Sequence, residues 1–261
     1  MPPTDASTNV SAGTGTGPGT GTGTGTGPGP RPAAGGAEDT LDLRLTEDLV
    51  ALFGAGEPVA TDTPPPGGAG ESALLDCPAR WGAAGTSAGV FQLVPVRLER
   101  DLTLISRWMN DPAVAAFWEL AGPEAVTADH LRTQLRGDGR SVPCLGVLDG
   151  VPMSYWELYR ADLDPLARHY PARPHDTGLH LLIGGVADRG RGVGTTLLRA
   201  VSELVLDHRP HCGRVIAEPD LRNTPSVAAF LSAGFRFSAE LDLPRKRAAL
   251  MIRERALRDL L

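Results

Sequence analysis

The chain has 261 residues, with 25 Lys and Arg against 31 Asp and Glu, giving a formal net charge of −6. That balance argues against a nucleic-acid partner held by a general basic surface. No apolar stretch reaches the length of a membrane span or follows a charged leader segment, and Cys77, Cys144 and Cys212 are too scattered for a disulfide framework or a metal pattern. The expectation is a soluble cytoplasmic protein with no membrane, nucleic-acid or metal partner.

Residues 1–38 are almost wholly Gly, Thr, Pro, Ala and Ser, with a Thr-Gly repeat from Thr14 to Gly27. Such a segment has no apolar surface to offset the entropy of ordering, so it reads as a disordered tail. Residues 39–88 read as a poorly structured extension. Leu41, Leu43, Leu45 and Leu49 allow a short helix there, and Pro64-Pro65-Pro66 marks a linker. Residues 89–261 suit one compact domain.

Within that domain, Val90 to Val96 predicts a first strand. Asp101 is placed to cap a helix carrying Leu104, Ile105, Trp108 and Met109 at helical spacing, and Asn110-Asp111-Pro112 breaks it. Val114, Phe117 and Trp118 begin another short apolar element. Val142 to Leu148, Asp149-Gly150 and Val151 to Tyr159 read as a hairpin with a tight turn. A polar excursion from Asp162 to Asp176 leads to a strand at Leu179 to Ile183. The helix from Thr195 to Asp207 then gathers Leu197, Leu198, Val201, Leu204 and Val205 on one face. Arg214 to Glu218 predicts another strand, and Phe235 to Leu243 and Ala248 to Ile252 predict two closing strands. Strands interspersed with helices make an α/β domain. His208, His211 and Cys212 lack a second ligand pair and read as a loop rather than a metal site.

Between the Leu179 strand and the Thr195 helix lies Arg189-Gly190-Arg191-Gly192-Val193-Gly194. A glycine-rich turn entering a helix converges backbone N–H groups, with the helix partial positive charge behind them, on an anion. A P-loop would need a lysine here, and the only lysine is Lys246. A dinucleotide fingerprint would need a third glycine where Thr195 stands, and only 43 residues follow Glu218, too few to complete a doubly wound sheet. Arg189, Gly192 and Gly194 instead match the Arg/Gln-x-x-Gly-x-Gly/Ala turn of the GCN5-related N-acetyltransferases. Asn223 to Phe235, with Ser226, Phe230 and Gly234 in step, resembles the other half of that family's signature.

The resemblance sharpens over residues 90–255. Arg107-Trp108-Met109-Asn110-Asp111-Pro112, Phe117-Trp118-Glu119, Tyr155-Trp156-Glu157-Leu158-Tyr159, His169-Tyr170, Asp176-Thr177-Gly178-Leu179-His180 and Pro244-Arg245-Lys246-Arg247 occur in order. Together they resemble the siderophore-biosynthesis branch of the family, which includes the hydroxylysine acetyltransferase of aerobactin synthesis and the lysine acyltransferase of mycobactin synthesis. The resemblance implies a mixed, mostly antiparallel twisted sheet with splayed middle strands, flanked by helices. It implies acyl transfer from acetyl-CoA or another acyl-CoA, or from an acyl carrier protein, to the side-chain nitrogen of lysine or of an N-hydroxylated diamine or amino acid. The thioester is a cosubstrate, and no tightly bound cofactor is expected.

Residue by residue, the resemblance implies His180 and Glu218 as the catalytic pair, although the family often has Asp at the position of Glu218. It assigns Arg189, Gly190, Arg191, Gly192, Val193, Gly194, Thr195 and Asn223 to the donor. Trp118, Glu119, Trp156, Glu157, Tyr159, His169 and Asp176 fall to the acceptor. Phe230 stands where many relatives carry a Tyr that protonates the leaving thiolate; Phe cannot donate. Two other readings remain open on the residues: aminoglycoside N-acetylation, which shares the Arg107-Trp108, Asp111-Pro112 and Trp118 pattern, and a non-catalytic acyl-CoA-binding protein.

Overall fold

The computed structural model describes residue 75 and residues 77–260; the expected tail over 1–38 and the helix near residues 39–53 lie outside them. A single eight-stranded sheet carries the domain, built from β1 (Ala83–Thr86), β2 (Gly89–Pro95), β3 (Ser141–Leu148), β4 (Val151–Arg160), β5 (Thr177–Ile183), β6 (Arg214–Ala217), β7 (Arg236–Leu243) and β8 (Lys246–Glu254). The helices are α1 (Leu98–Met109), α2 (Pro112–Trp118), α3 (Glu124–Leu135), α4 (Val193–His208) and α5 (Thr224–Ser232).

Strand order is β1-β2-β3-β4-β5-β6-β8-β7. Every neighbouring pair is antiparallel except β5 and β6, which run parallel and meet only at Thr177↔Val215 and Gly178↔Ile216. Beyond Gly178 the two strands part, and the sheet opens in its middle. This is the mixed, splayed sheet that the resemblance implied.

Local chemistry explains the joints. Asp149 and Gly150 both have positive φ, 47° and 80°, the primed turn that matches the twist of a β3–β4 hairpin. Asp111 caps α2 by accepting from the Ala113 N–H, with Pro112 in the first turn where its missing donor costs nothing. Asn223 does the same for α5 through the Ser226 N–H. The two sheet faces bury separate clusters. Phe91, Leu93, Trp156 and Leu158 pack with Leu197, Leu198, Val201 and Val205 of α4. Leu145, Tyr155 and Leu182 pack with Ile105, Trp108, Met109 and Leu131 from α1 and α3.

Two expectations need correction, and one helix is new. The domain does not begin at residue 89: that boundary cuts the β1–β2 hairpin, and Leu75 and Trp81 are buried in the core. Trp81 stacks on His208, with ring centroids 5.6 Å apart, and its carbonyl bonds the His208 ring. Asp101 does not precede α1 but lies inside it, where its carboxylate reaches back to accept from the Arg97 N–H. Helix α3 was not foreseen at all, and it supplies two residues to the site described next.

Candidate active site

Alternation along β4 sends Tyr155, Glu157 and Tyr159 to one face of the sheet and Trp156 and Leu158 to the other. On β5, His180 is the direct cross-strand partner of Glu157. β6 pairs with β5 only as far as Ile216 and ends at Ala217, so Glu218 lies just past the parting of the two strands. These three side chains form a line. His180 Nδ1 lies 2.9 Å from Glu157 Oε2, and His180 Nε2 lies 2.5 Å from Glu218 Oε1.

Each carboxylate is anchored in turn. Glu157 Oε1 accepts from His130 Nε2 and Gln134 Nε2 of α3, both at 2.6 Å, and from the Tyr155 hydroxyl at 2.9 Å. Glu218 Oε2 accepts from the Tyr159 hydroxyl at 2.7 Å. Lys246 donates to the Glu218 carbonyl at 2.6 Å, with its ammonium 3.6 Å from Oε1. The Tyr159 ring lies flat across Gly178, where a Cβ would come within 2.1 Å of the Tyr159 Cζ; no side chain fits there.

The electrostatics follow from this clamp. Burial disfavours a charged imidazole, but Glu218 and Glu157 outweigh it and raise the His180 pKa to about 10. Burial equally disfavours the carboxylates, yet His180 holds Glu218 well below the usual range, with help from Lys246 and Tyr159, and His130 and His180 do the same for Glu157. Burial and the adjoining carboxylates push both tyrosine hydroxyls up, so they serve only as donors. Near neutrality the line is therefore carboxylate–imidazolium–carboxylate.

The line forms the floor of a cleft of about 290 Å³ that opens through the gap between β5 and β6. Trp118 stands edge-on to both Tyr155 and His180 at one end; Asn223 and Phe230 of α5 stand at the other. The charged lining is mixed: Glu157, Glu218 and Asp220 against His180, Arg245 and Lys246.

At the end of β5 the glycine turn has the backbone that its sequence required. Gly190 and Gly192 have φ of 71° and 79°, and nothing lies within 4 Å of a Cβ built on either. Gly192 caps α4, whose first-turn N–H groups have no helical carbonyl to meet. The Arg189 side chain does not face this turn. It bonds the carbonyls of Ile183 and Gly184 at 2.9 and 2.8 Å and Asp111 Oδ1 at 2.8 Å, so it braces the turn against β5 and α2.

The structure brings His180, Glu218, Glu157, Tyr159, Trp118 and Asn223 together and leaves four expected residues elsewhere. Trp156 is fully buried on the opposite face, donating to Ser154 Oγ at 2.9 Å and packing edge-on to Phe91. Asp176 is fully buried in an ion pair with Arg214 at 2.5 Å and accepts from the Tyr170 hydroxyl at 3.0 Å. His169 is exposed and merely ends a short 3-10 turn over Pro165–Arg168. Glu119 ends α2 with φ of 54° and pairs with Arg245 at the cleft rim. Glu157 is in place but is no open site for an ammonium, because four side chains, His130, Gln134, Tyr155 and His180, already crowd it, twice as many as hydrogen-bond the Glu218 carboxylate. The residues that sequence reasoning missed are His130, Gln134, Tyr155, Asp220, Arg245 and Lys246. Tyr155, Arg245 and Lys246 lay inside motifs already matched to the family without being given a role, and the i, i+4 spacing of His130 and Gln134 was the signal for the helix pair.

Residues 97–243, more than half of the chain, match the family model described as an acetyltransferase (GNAT) domain. Over 150 residues, 58% of this chain and 67% of the relative, the sequence is 40% identical to the lysine N-acyltransferase MbtK of Mycolicibacterium paratuberculosis. It is 36% identical over 155 residues, 59% of this chain and 49% of the relative, to the N(6)-hydroxylysine O-acetyltransferase of Escherichia coli. Among solved structures, an uncharacterized protein from Bacillus halodurans superposes with a TM-score of 0.65 at 31% identity, covering 69% of this chain and 92% of that one. The aminoglycoside acetyltransferase AAC(6')-Ib in complex with coenzyme A shares the fold, with a TM-score of 0.58 at 22% identity over 65% of this chain and 98% of that one. With a glycine turn at the head of α4, a sheet parted at β5 and β6, and a matching family model, the chain belongs to the GNAT acetyltransferase family.

Proposed function

We propose that this protein transfers an acyl group from acyl-CoA to the side-chain nitrogen of an N-hydroxylated diamine or amino acid, or of lysine, in hydroxamate siderophore assembly. The observation that carries this reading is the Glu157–His180–Glu218 line lying where β5 and β6 part, on a strand that leads into a turn suited to a pyrophosphate. The similarity to lysine and hydroxylysine acyltransferases supports the acceptor class. The mixed charge of the cleft suits a small amine better than a polycationic aminoglycoside.

The donor's pyrophosphate would sit on the backbone of Gly190 to Thr195, with its arm in the gap near Asn223 and the thioester beside His180. Backbone N–H groups of the parted strands would polarise the thioester carbonyl. The acceptor nitrogen attacks as the neutral base. A C–N bond forms, the C–S bond breaks with coenzyme A leaving as thiolate, and the nitrogen's proton passes to Glu218. Phe230 supplies no acid, and a thiolate needs none near neutrality. A carboxylate held so far below its ordinary pKa cannot deprotonate an alkylammonium before attack. It can take the proton of the nitrogen once that nitrogen is bonded to the acyl carbon. An alkylhydroxylamine, already uncharged near neutrality, fits this weak base better than lysine does.

Thiol release from acetyl-CoA with lysine, N6-hydroxylysine, N-hydroxycadaverine and kanamycin, products identified by mass, tests the reading. Turnover confined to hydroxylated acceptors is expected; turnover on kanamycin alone would overturn it. For the donor site, Gly192→Leu places a side chain on a backbone with φ of 79°, in the path of the phosphates. Coenzyme A affinity should fall by about tenfold or more, with the acceptor KM unmoved. Equal affinity in calorimetry would remove the turn from the donor site.

The clamp also predicts a pH dependence of stability. The folded pKa of His180 is raised from near 6.5 to about 10. Its contribution is therefore full below about pH 6.5 and is lost as pH rises towards 10. Urea midpoints measured across this window should fall for the native chain. The fall should be shallower for His180→Asn, and identical slopes would contradict the imidazolium assignment.

A further inference from the structure

A second cavity, also of about 290 Å³, meets the first at His180 and Glu157 and is otherwise separate from it. Gln134, Arg140 and Ser141 border it from the end of α3 and the start of β3; Leu163, Asp164 and Pro165 border it from the segment after β4. A direct transfer between two substrates needs two approaches that converge on one point. The first cleft reaches His180 from α5 and the end of α2. The second reaches the same residue from the end of α3, the start of β3 and the segment after β4, and touches neither α5 nor α2.

Charge accounting identifies what the second cavity lacks. Arg140 is paired with Asp138 at 2.8 Å. Arg160, also on its border, is held by both oxygens of Asp162, at 2.8 and 2.7 Å. Ser141 donates to Gln134 at 2.8 Å, and Glu157 is fully engaged. Asp164 differs. Its Oδ1 accepts from the Leu166 N–H at 2.9 Å, and no cation pairs with it among the described residues. Burial, with repulsion from Glu218, pushes its pKa up despite the Leu166 N–H and the attraction of His180, so a further cation beside it would be stabilised. Leu163 and Pro165 beside it give an apolar border suited to methylene groups.

We infer that Asp164 receives a second ammonium at the far end of the acceptor, whose other nitrogen lies against His180. The cavity thus selects amines with two basic ends, joined by an alkyl chain, over monoamines of equal length. This rests on the proposed transferase reading and refines it.

Asp164→Asn is the informative variant, because Asn keeps an oxygen for the Leu166 N–H and removes only the charge. Binding of cadaverine and of n-pentylamine to the full chain would be measured by calorimetry without donor. KM and kcat for N-hydroxycadaverine and N-hydroxypentylamine would be measured with acetyl-CoA. In the native chain cadaverine should bind at least about tenfold tighter than pentylamine. In the variant that preference should vanish, with the loss in KM rather than kcat. Equal binding of the two amines by the native chain, or an equal loss for both in the variant, would overturn the inference. If neither hydroxylamine is acylated while the binding preference and its loss persist, the transferase reading fails and the ammonium site stands.

Discussion

Glu218→Gln should lower kcat by about 10²- to 10⁴-fold, the usual weight of a positioned general base, and leave donor affinity nearly unchanged. Glutamine keeps the shape and can still accept from Tyr159, so the fold around it has little reason to move. It loses the charge that accepts the nitrogen's proton and half of the clamp on His180. The imidazole pKa should then fall from about 10. His180 should titrate closer to its ordinary range, which NMR of the imidazole would read independently of turnover. Unchanged turnover at saturating acceptor would remove Glu218 as the base. A lowered kcat with an unmoved His180 titration would leave Glu218 as the base but dissolve the electrostatic pairing described here.

Gly178→Ala should destabilise the protein by about 1–3 kcal/mol and reduce kcat in the fraction that folds. A methyl group there would lie 2.1 Å from the Tyr159 Cζ and 2.4 and 2.5 Å from its ring neighbours. Gly178 cannot retreat, because it is one of the two β5 residues still paired with β6. Tyr159 must therefore tilt, and its hydroxyl must release Glu218. The paired measurement is a denaturant melt and steady-state kinetics. Rescue of kcat by the double variant with Tyr159→Leu would mean that the ring contact, not the hydroxyl bond, governs the loss. Native stability in Gly178→Ala would refute the packing argument.

The glycine turn and the hairpin at Asp149-Gly150 were legible because each is a backbone requirement that only a few residue types meet. Helix α3 was not. Its inward face carries His130 and Gln134 to bond Glu157, and its buried positions include only Thr127, Ala128 and Leu131. A helix that serves a polar network loses the apolar stripe by which helices are read. β1 escaped for a related reason: four residues, Ala83 to Thr86, at a sheet margin carry no alternation to detect. Trp156 was misplaced although the rule was at hand. Adjacent strand residues point to opposite faces, so Glu157 and Trp156 could not both face the cleft. Asp176 and Arg189 have the charge expected of ligand-binding residues, but Arg214 and Asp111 already neutralise them.

The parting of β5 and β6 also bears on strand addition by other chains. A strand with unpaired peptide groups invites other chains to add to it, and most proteins keep such margins at the rim and blunt them. Here two such margins lie in the interior of an eight-stranded sheet, between Trp118 and α5, where another protein's strand would meet side chains before it met backbone. The Arg189 guanidinium also occupies the Ile183 and Gly184 carbonyls at the open end. The molecule can thus hold bare backbone ready for a slender ligand without exposing a template for aggregation. Arg189→Ala, which frees those carbonyls, should raise the tendency to self-associate, as read by light scattering at elevated concentration.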